Sequence, residues 1–399
     1  MKQFQRYLWS ALVLAFVLSL GSTAHATTWL IGPCSGNPEL TQPYSLALAL
    51  EEGLVQPGDV IQLCSGATFT GDNVIYTPDI TIETVKKGET AYVNCGLDED
   101  YENQSIVGDV GFVVLANNVT IENVSINGCT AGVVDIPGAS ALESLNTALP
   151  GLKTAYNQVY PAGLPAMHAN INPSWKGNGK GSKKSNNCPT KDVSLCLNKD
   201  VFNANFIGVV TFDVADADIE NNKFYANFAG VLMVDSFTNQ VKNNVITGFN
   251  APSPDVFFAT FGITDIDGTQ DLISGNTVNG GGVGIDLEAL ATGTTEDSLK
   301  NNTTKYNAAG IGADIVDAYF LYLPLFGAPE SALNTFSSNT SKDNMAPNSE
   351  PSNTSPWGYY LTGDCLDFTV GTGTAGTANT WKSSNHCGTT EDLYGGPLP

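Results

Sequence analysis

The hydrophobic positions of this chain change period twice. Tyr7–Leu20 is a largely apolar run of 14 residues, preceded by Lys2 and Arg6 and followed by the small, polar stretch Gly21–Ala26. Fourteen residues fall short of the ~20 that a membrane helix needs. Ala24-His25-Ala26 fits the small-x-small rule for cleavage. The pattern predicts a signal peptide over residues 1–26, cut near Ala26, and a secreted or periplasmic chain over 27–399. No later run reaches the length of a membrane helix. Tyr44–Leu54 then has Leu46, Leu48, Leu50 and Leu54 interleaved with Ala47 and Ala49. That predicts one short helix, stopped by Gly53 and Pro57-Gly58-Asp59. Beyond it the period is that of strands: Val60–Leu63, Ile80–Thr84, Tyr92–Asn94, Phe112–Leu115, Val119–Ile121 and Val124–Ile126 are short Val/Ile runs punctuated by turn residues.

From about residue 112 the pattern repeats. Ile219-Glu220-Asn221-Asn222-Lys223-Phe224 is followed by Gly230-Val231. Val241-Lys242-Asn243-Asn244-Val245-Ile246 is followed by Gly262-Ile263. Ile273-Ser274-Gly275-Asn276-Thr277-Val278 leads to Gly284-Ile285, and Leu299-Lys300-Asn301-Asn302-Thr303-Thr304 to Gly310-Ile311. The Asn positions 222, 244, 276 and 302 set repeats of 22, 32 and 26 residues, with Asn123 and Asn339 as degenerate outer members. Repeats of this length mean a stacked solenoid. The unit has no room for helices, which leaves one coil of a parallel β-helix. Inward aliphatic side chains would form a continuous core, and Asn at a fixed turn would bond to the coils on either side.

The opening segment Leu48–Leu63, the run Asn117–Val124 and the four repeats resemble the right-handed parallel β-helix proteins of the pectate-lyase-like superfamily. Ala378-Asn379-Thr380-Trp381 looks like a closing coil. The resemblance covers roughly residues 28–388. It implies an all-β fold, a right-handed parallel β-helix (solenoid) with a short N-terminal capping helix, as a single domain over 27–399. It does not single out a function, because the superfamily includes lyases, glycoside hydrolases, epimerases, esterases and non-catalytic surface proteins.

Two segments break the repeat. Residues 137–200 hold six prolines and a basic island of Lys176, Lys180, Lys183 and Lys184. They suit either a substrate-covering loop, with Trp175 as a sugar platform and Lys180 and Lys183 facing an anionic polymer, or a solvated insertion. Residues 317–335 are rich in aromatic and leucine side chains. They suit a partner or carbohydrate surface, or a loop folded back on the solenoid. The eight cysteines all follow residue 26, an even number that fits disulfides in an exported protein. Nearest-neighbour pairing is expected, Cys188–Cys196 above all.

Charge narrows the partners. The chain has 40 acids against 17 Lys and Arg, a formal net charge of −23. Arg6 is the sole arginine, so nucleic acid is excluded as a partner, and arginine-dependent lyase or esterase chemistry is excluded for the mature chain. The Gly-His-Gly and Arg-Ile-Lys motifs of polygalacturonases and the Asp-Pro-His-Glu motif of alginate epimerases are absent. Only His168 and His386 remain past the leader, too few for a histidine-rich metal site. Lys223, Lys242 or Lys300 would serve a lysine-based lyase if burial and calcium lowered its pKa.

Acids recur shortly after the repeat Gly: Asp135, Asp213, Asp235, Asp265, Asp267, Asp286 and Asp314. Stacked coils bring such carboxylates into neighbouring rows. Paired carboxylates can cleave a glycosidic bond or hold calcium. The candidate acid/base residues are Asp235, Asp265, Asp267 and Asp286. The candidate metal ligands are Asp265, Asp267 and Asp271, with calcium as the ion. The offsets from Gly are 3, 5, 5, 3, 5, 2 and 4, so these acids do not all face one way, and Asp also marks strand ends without further purpose. Two readings stay open. One is a protein that binds or cleaves an extracellular polysaccharide along the solenoid flank. The other is a non-catalytic surface, adhesion or scaffold β-helix.

Overall fold

In the computed structural model, the described residues are 26–34, 46–51, 54–86, 88–95, 110–136, 193–247, 260–289, 294–307, 309–314, 331–344, 363–388 and 390–392. They form three parallel sheets, A, B and C, of 11, 10 and 10 strands. One coil contributes a strand to each in turn. Asp218–Glu220 lies in sheet A, Lys223–Tyr225 in sheet B and Ala229–Val234 in sheet C. The next coil repeats the order with Gln240–Lys242, Val245–Thr247 and Phe261–Ile266, in register throughout. This is the right-handed parallel β-helix expected from the sequence, with the crossover sense that parallel strands impose. Helix α1 (Leu46–Glu51) buries Leu46, Ala49 and Leu50 in the interior cluster, the spacing expected of a helix face.

Side chains at one position of every coil stack inside the tube. Sheet A supplies Ile61, Ile82, Ile121, Leu197, Ile219, Val241, Ile273, Leu299, Phe336 and Trp381, all at most 3% exposed. Rings stack in the same way, Phe202 on Phe224 with centroids 4.7 Å apart and Phe336 on Trp381 at 3.9 Å. Leu195–Asn198 falls in the interruption drawn from the sequence, yet it is a sheet A strand between Val119–Glu122 and Asp218–Glu220. The coil resumes there with Asp200 in place of the usual turn Asn.

Each corner carries a hydrogen-bond ladder. Between sheets A and B, the main-chain N–H of Asn222 donates to Asn244 Oδ1. That of Asn244 donates to Asn276, then Asn276 to Asn302, Asn302 to Asn339 and Asn339 to Asn385, at 2.8–3.1 Å. Each Nδ2 donates back to a carbonyl, as Asn276 does to Val241 at 2.8 Å. Asn339 is thus a full member. Asn123 is not. It occupies the preceding left-handed position (φ 61°), which Asn221, Asn243 and Asn301 share in later coils, and the ladder donor in its coil is Val124, bonded to Asp200. Disulfides Cys34–Cys64, Cys95–Cys129 and Cys365–Cys387 follow nearest-neighbour order. Cys196 is disulfide-bonded as well, while Cys188 lies outside the described residues.

Candidate functional site

The acids after the repeat Gly divide among three places. Sheet C strands face inward with Val231, Ile263 and Ile285, and again with Met233 and Leu287, all of the interior core. Asp265 pairs in register with Met233 and Leu287 and points inward. Asp286 pairs with Thr264 in the row of Val210 and Leu232, which face the outer side of the sheet. The two therefore point to opposite faces. Asp235 and Asp267 stand in the turn after their strands, in one row with Asp213, each at positive φ and each donating its N–H to the next coil. Burial, then the charges of Asp267 and Asp213, raise the Asp235 pKa. Of the four expected acid/base residues, only Asp235 and Asp267 are neighbours in one row.

Asp265 instead meets Asp271 and Asp297. One carboxylate oxygen from each lies within 4.8 Å of the others. Asp271 belongs to the expected metal set; Asp297 takes the place that set gave to Asp267. Asp271 and Asp297 are members of the corner ladder between sheets C and A, which runs Ala217, Asn239, Asp271, Asp297, Asn334, Asn379. Burial raises all three pKa values: Asp265 well above the ordinary range, Asp271 to about 7 and Asp297 to about 8.

A second interior acid, Asp135, accepts a 2.7 Å hydrogen bond from Ser194 Oγ, and burial still pushes it up to about 7. The folded chain then holds a proton that the unfolded chain releases near pH 4. Its contribution to stability is full below about pH 4 and is lost as pH rises through about 7, by roughly 4 kcal/mol in all. Melting temperatures between pH 5 and 8 should therefore fall less steeply for Asp135→Asn than for the wild type. Equal slopes would refute the assignment.

The outer flanks differ in charge. Sheet A presents Glu83, Glu122, Asp218 and Glu220 outward. There Lys242 Nζ sits 3.4 Å from Asp218 and touches Glu220, so this lysine is held in an ion pair. Burial, then the Glu220 charge, raises Asp218 to about 7, with Lys242 opposing. Sheet B is different. Its outward rows read Thr68, Tyr92, Ser125, Val201, Lys223, Val245, Thr277, Thr303, Thr340, His386 and Thr70, Asn94, Asn127, Asn203, Tyr225, Thr247, Asn279, Lys305. Among the described residues, neither row contains an acid. Burial lowers the Lys223 pKa and raises that of Tyr225. Lys300 is exposed on sheet A. Trp175, Lys180 and Lys183 lie outside the described residues.

A family model described as periplasmic copper-binding protein (NosD) matches residues 183–357. No curated protein matches the chain in sequence. Among solved structures, an alginate lyase from Paenibacillus sp. str. FPU-7 is 14% identical (TM-score 0.46, covering 92% of this chain and 99% of that one). A rhamnogalacturonan lyase is 11% identical (TM-score 0.46, 93% and 88%). A polygalacturonase from Erwinia carotovora ssp. carotovora is 11% identical (TM-score 0.44, 92% and 96%). At these identities the likeness is one of fold. The described residues do not fit copper, which prefers imidazole, thiolate or thioether ligands. Among them, His386 is the one histidine and Met233 the one methionine, on different sheets, and no cysteine is free. No helix among the described residues is long and apolar enough to cross a membrane.

Proposed function

We propose that this chain is an exported β-helix protein, with residues 27–399 as one domain, that binds a uronate-bearing extracellular polysaccharide along the outer flank of sheet B. The charge contrast between flanks carries the reading. In a chain of net charge −23, sheet B offers two aligned rows, chiefly Thr, Asn and Tyr with Ser125, Val201 and Val245 among them, that carry Lys223, Lys305 and His386 and no acid among the described residues. Hydroxyl and amide groups suit sugar hydroxyls, and the lysines suit carboxylates. At physiological salt, exposed charges farther than about 8 Å are largely screened, so the acids of the other flanks weigh little on a polymer lying here. The export pattern of residues 1–26 puts the protein where such polymers occur.

Binding fits this flank better than hydrolysis, which needs two carboxyl groups flanking the bond. A specific observation favours a second reading, β-elimination. Lys223, its pKa lowered by burial, stands two residues from Tyr225 on the same strand, and a lysine so lowered is a better base for a sugar C–H. One experiment separates the readings. The full mature chain is titrated with polygalacturonate, alginate and dextran, while 235 nm absorbance follows unsaturated product. Uronate polymers should bind more tightly than dextran, and Lys223→Glu with Lys305→Glu should weaken that binding at least tenfold. Equal affinity for dextran, or no loss in the double variant, would refute the flank assignment. Absorbance that grows with time in the wild type would establish the second reading.

A further inference from the structure

Among the described residues, a group of interior carboxyls is left short of donors. Asp265 is fully buried, and its oxygens meet no donor group but the carboxyl of Asp271, itself an acid. Asp271 Oδ2 and Asp297 Oδ2 are buried and unpartnered too, while the Oδ1 of each accepts a ladder N–H. The chain contains its own comparison. Asp367 occupies the same inward row as Asp265, through Leu287 and Ala313. Around Asp367 the fold places donors: Trp381 Nε1 at 2.7 Å, Thr369 Oγ1 at 2.6 Å and the ladder amide of Asn379. Around Asp265 the ladder residues are acids, and they accept where Asn379 donates.

The ladder shows the same inversion. Asn334 Nδ2 donates to the Thr294 carbonyl and Asn379 Nδ2 to that of Ser331. By register, the matching carbonyls for Asp271 and Asp297 are those of Ser236 and Gly268, so an oxygen faces an oxygen. A Cβ on Gly268 would overlap Asp265 Oδ1. The main chain thus wraps this carboxylate closely, with no room for a side chain.

Three carboxylates thus gather beside main-chain carbonyls, with Asp265 Oδ1 and Oδ2, Asp271 Oδ2 and Asp297 Oδ2 left without a donor. We propose that Asp265, Asp271 and Asp297 bind one oxygen-seeking divalent cation inside the tube, calcium by its tolerance of an all-protein oxygen cage, and that it ties consecutive coils together. The three oxygens lie within 4.8 Å of one another, within reach of one ion. Magnesium holds its waters and is seldom caged by protein oxygens alone, whereas calcium accepts such a cage. The inference is independent of polysaccharide binding.

The test uses the full mature chain. Acid-digested protein, purified without chelator, should contain about one calcium per chain by mass spectrometry. Chelated protein titrated with CaCl2 should gain several degrees in melting temperature. Asp271→Asn with Asp297→Asn supplies the residue that the ladder carries at Asn239 and Asn334, so it should fold. It should also lose both the bound calcium and the thermal response. Protein without calcium whose melting ignores both EDTA and CaCl2 would overturn the proposal, leaving protons to neutralise the acids. Retained copper or zinc at one equivalent, or a calcium response that persists in the double variant, would overturn it as well.

Discussion

Gly262→Ala is expected to destabilise the protein by about 3 kcal/mol or more, because overpacking against main chain cannot be relieved by a rotamer change. The glycines at 111, 132, 208, 230, 262, 284 and 310 lie over one another where sheet C begins. A Cβ on Gly262 would overlap both the Gly284 carbonyl oxygen and Val278 Cγ1. The backbone would have to move, and it is hydrogen-bonded to coils on both sides, so the strain spreads along the stack. Gly281 is the control. Its Cβ would meet nothing nearer than 3.4 Å, so Gly281→Ala should stay within about 0.5 kcal/mol. Urea melts of the two variants decide. Equal midpoints would mean that close stacking of coils does not set the corner.

Asn276→Ala should cost about 3–5 kcal/mol. Asn276 Oδ1 accepts from Asn244 N at 2.9 Å and from Asn244 Nδ2 at 3.1 Å, and its Nδ2 donates to the Val241 carbonyl. All of this is buried. Truncation leaves donors and an acceptor unpaired, at about 1–3 kcal/mol for each group left without a partner. The adjacent Asn243 is exposed, at φ 55°, in the slot where the next coil has Gly275. Asn243→Gly should be close to neutral. A loss at Asn243→Gly equal to that at Asn276→Ala would place the stabilisation in the turn rather than in the ladder.

The coil was legible because two chemistries recur at fixed places, Asn at one corner and Gly at another. The direction of the acids was harder to read. The corner Gly and the residue after it both face inward, so simple alternation fails from that point. The residue two after Gly then faces out, as Asp286 does, and the residue three after it faces in, as Asp135 and Asp265 do. Five after it comes the turn, with Asp213, Asp235 and Asp267. Asp297 escaped notice because the glycine ahead of it, Gly293, is not one of the repeat glycines. A signal existed five residues ahead of each ladder Asn: Asn239, Asp271, Asp297 and Asn334 precede Asn244, Asn276, Asn302 and Asn339 at that spacing. The flanks were illegible one residue at a time. An acid-free face emerges only when Thr277, Thr303 and Thr340 are aligned across coils.

Function in this molecule depends on which flank meets the polymer. Hydroxyl-radical footprinting of the full mature chain with and without polygalacturonate reads this directly. Tyr92 and Tyr225 lie on the sheet B flank. Tyr76, at the end of a sheet C strand, and Phe237, at the corner leading to sheet A, are exposed elsewhere. Protection of Tyr92 and Tyr225 with unchanged oxidation of Tyr76 and Phe237 is the expected result. Protection at Tyr76 or Phe237, or unchanged oxidation at all four under saturating polymer, would contradict it.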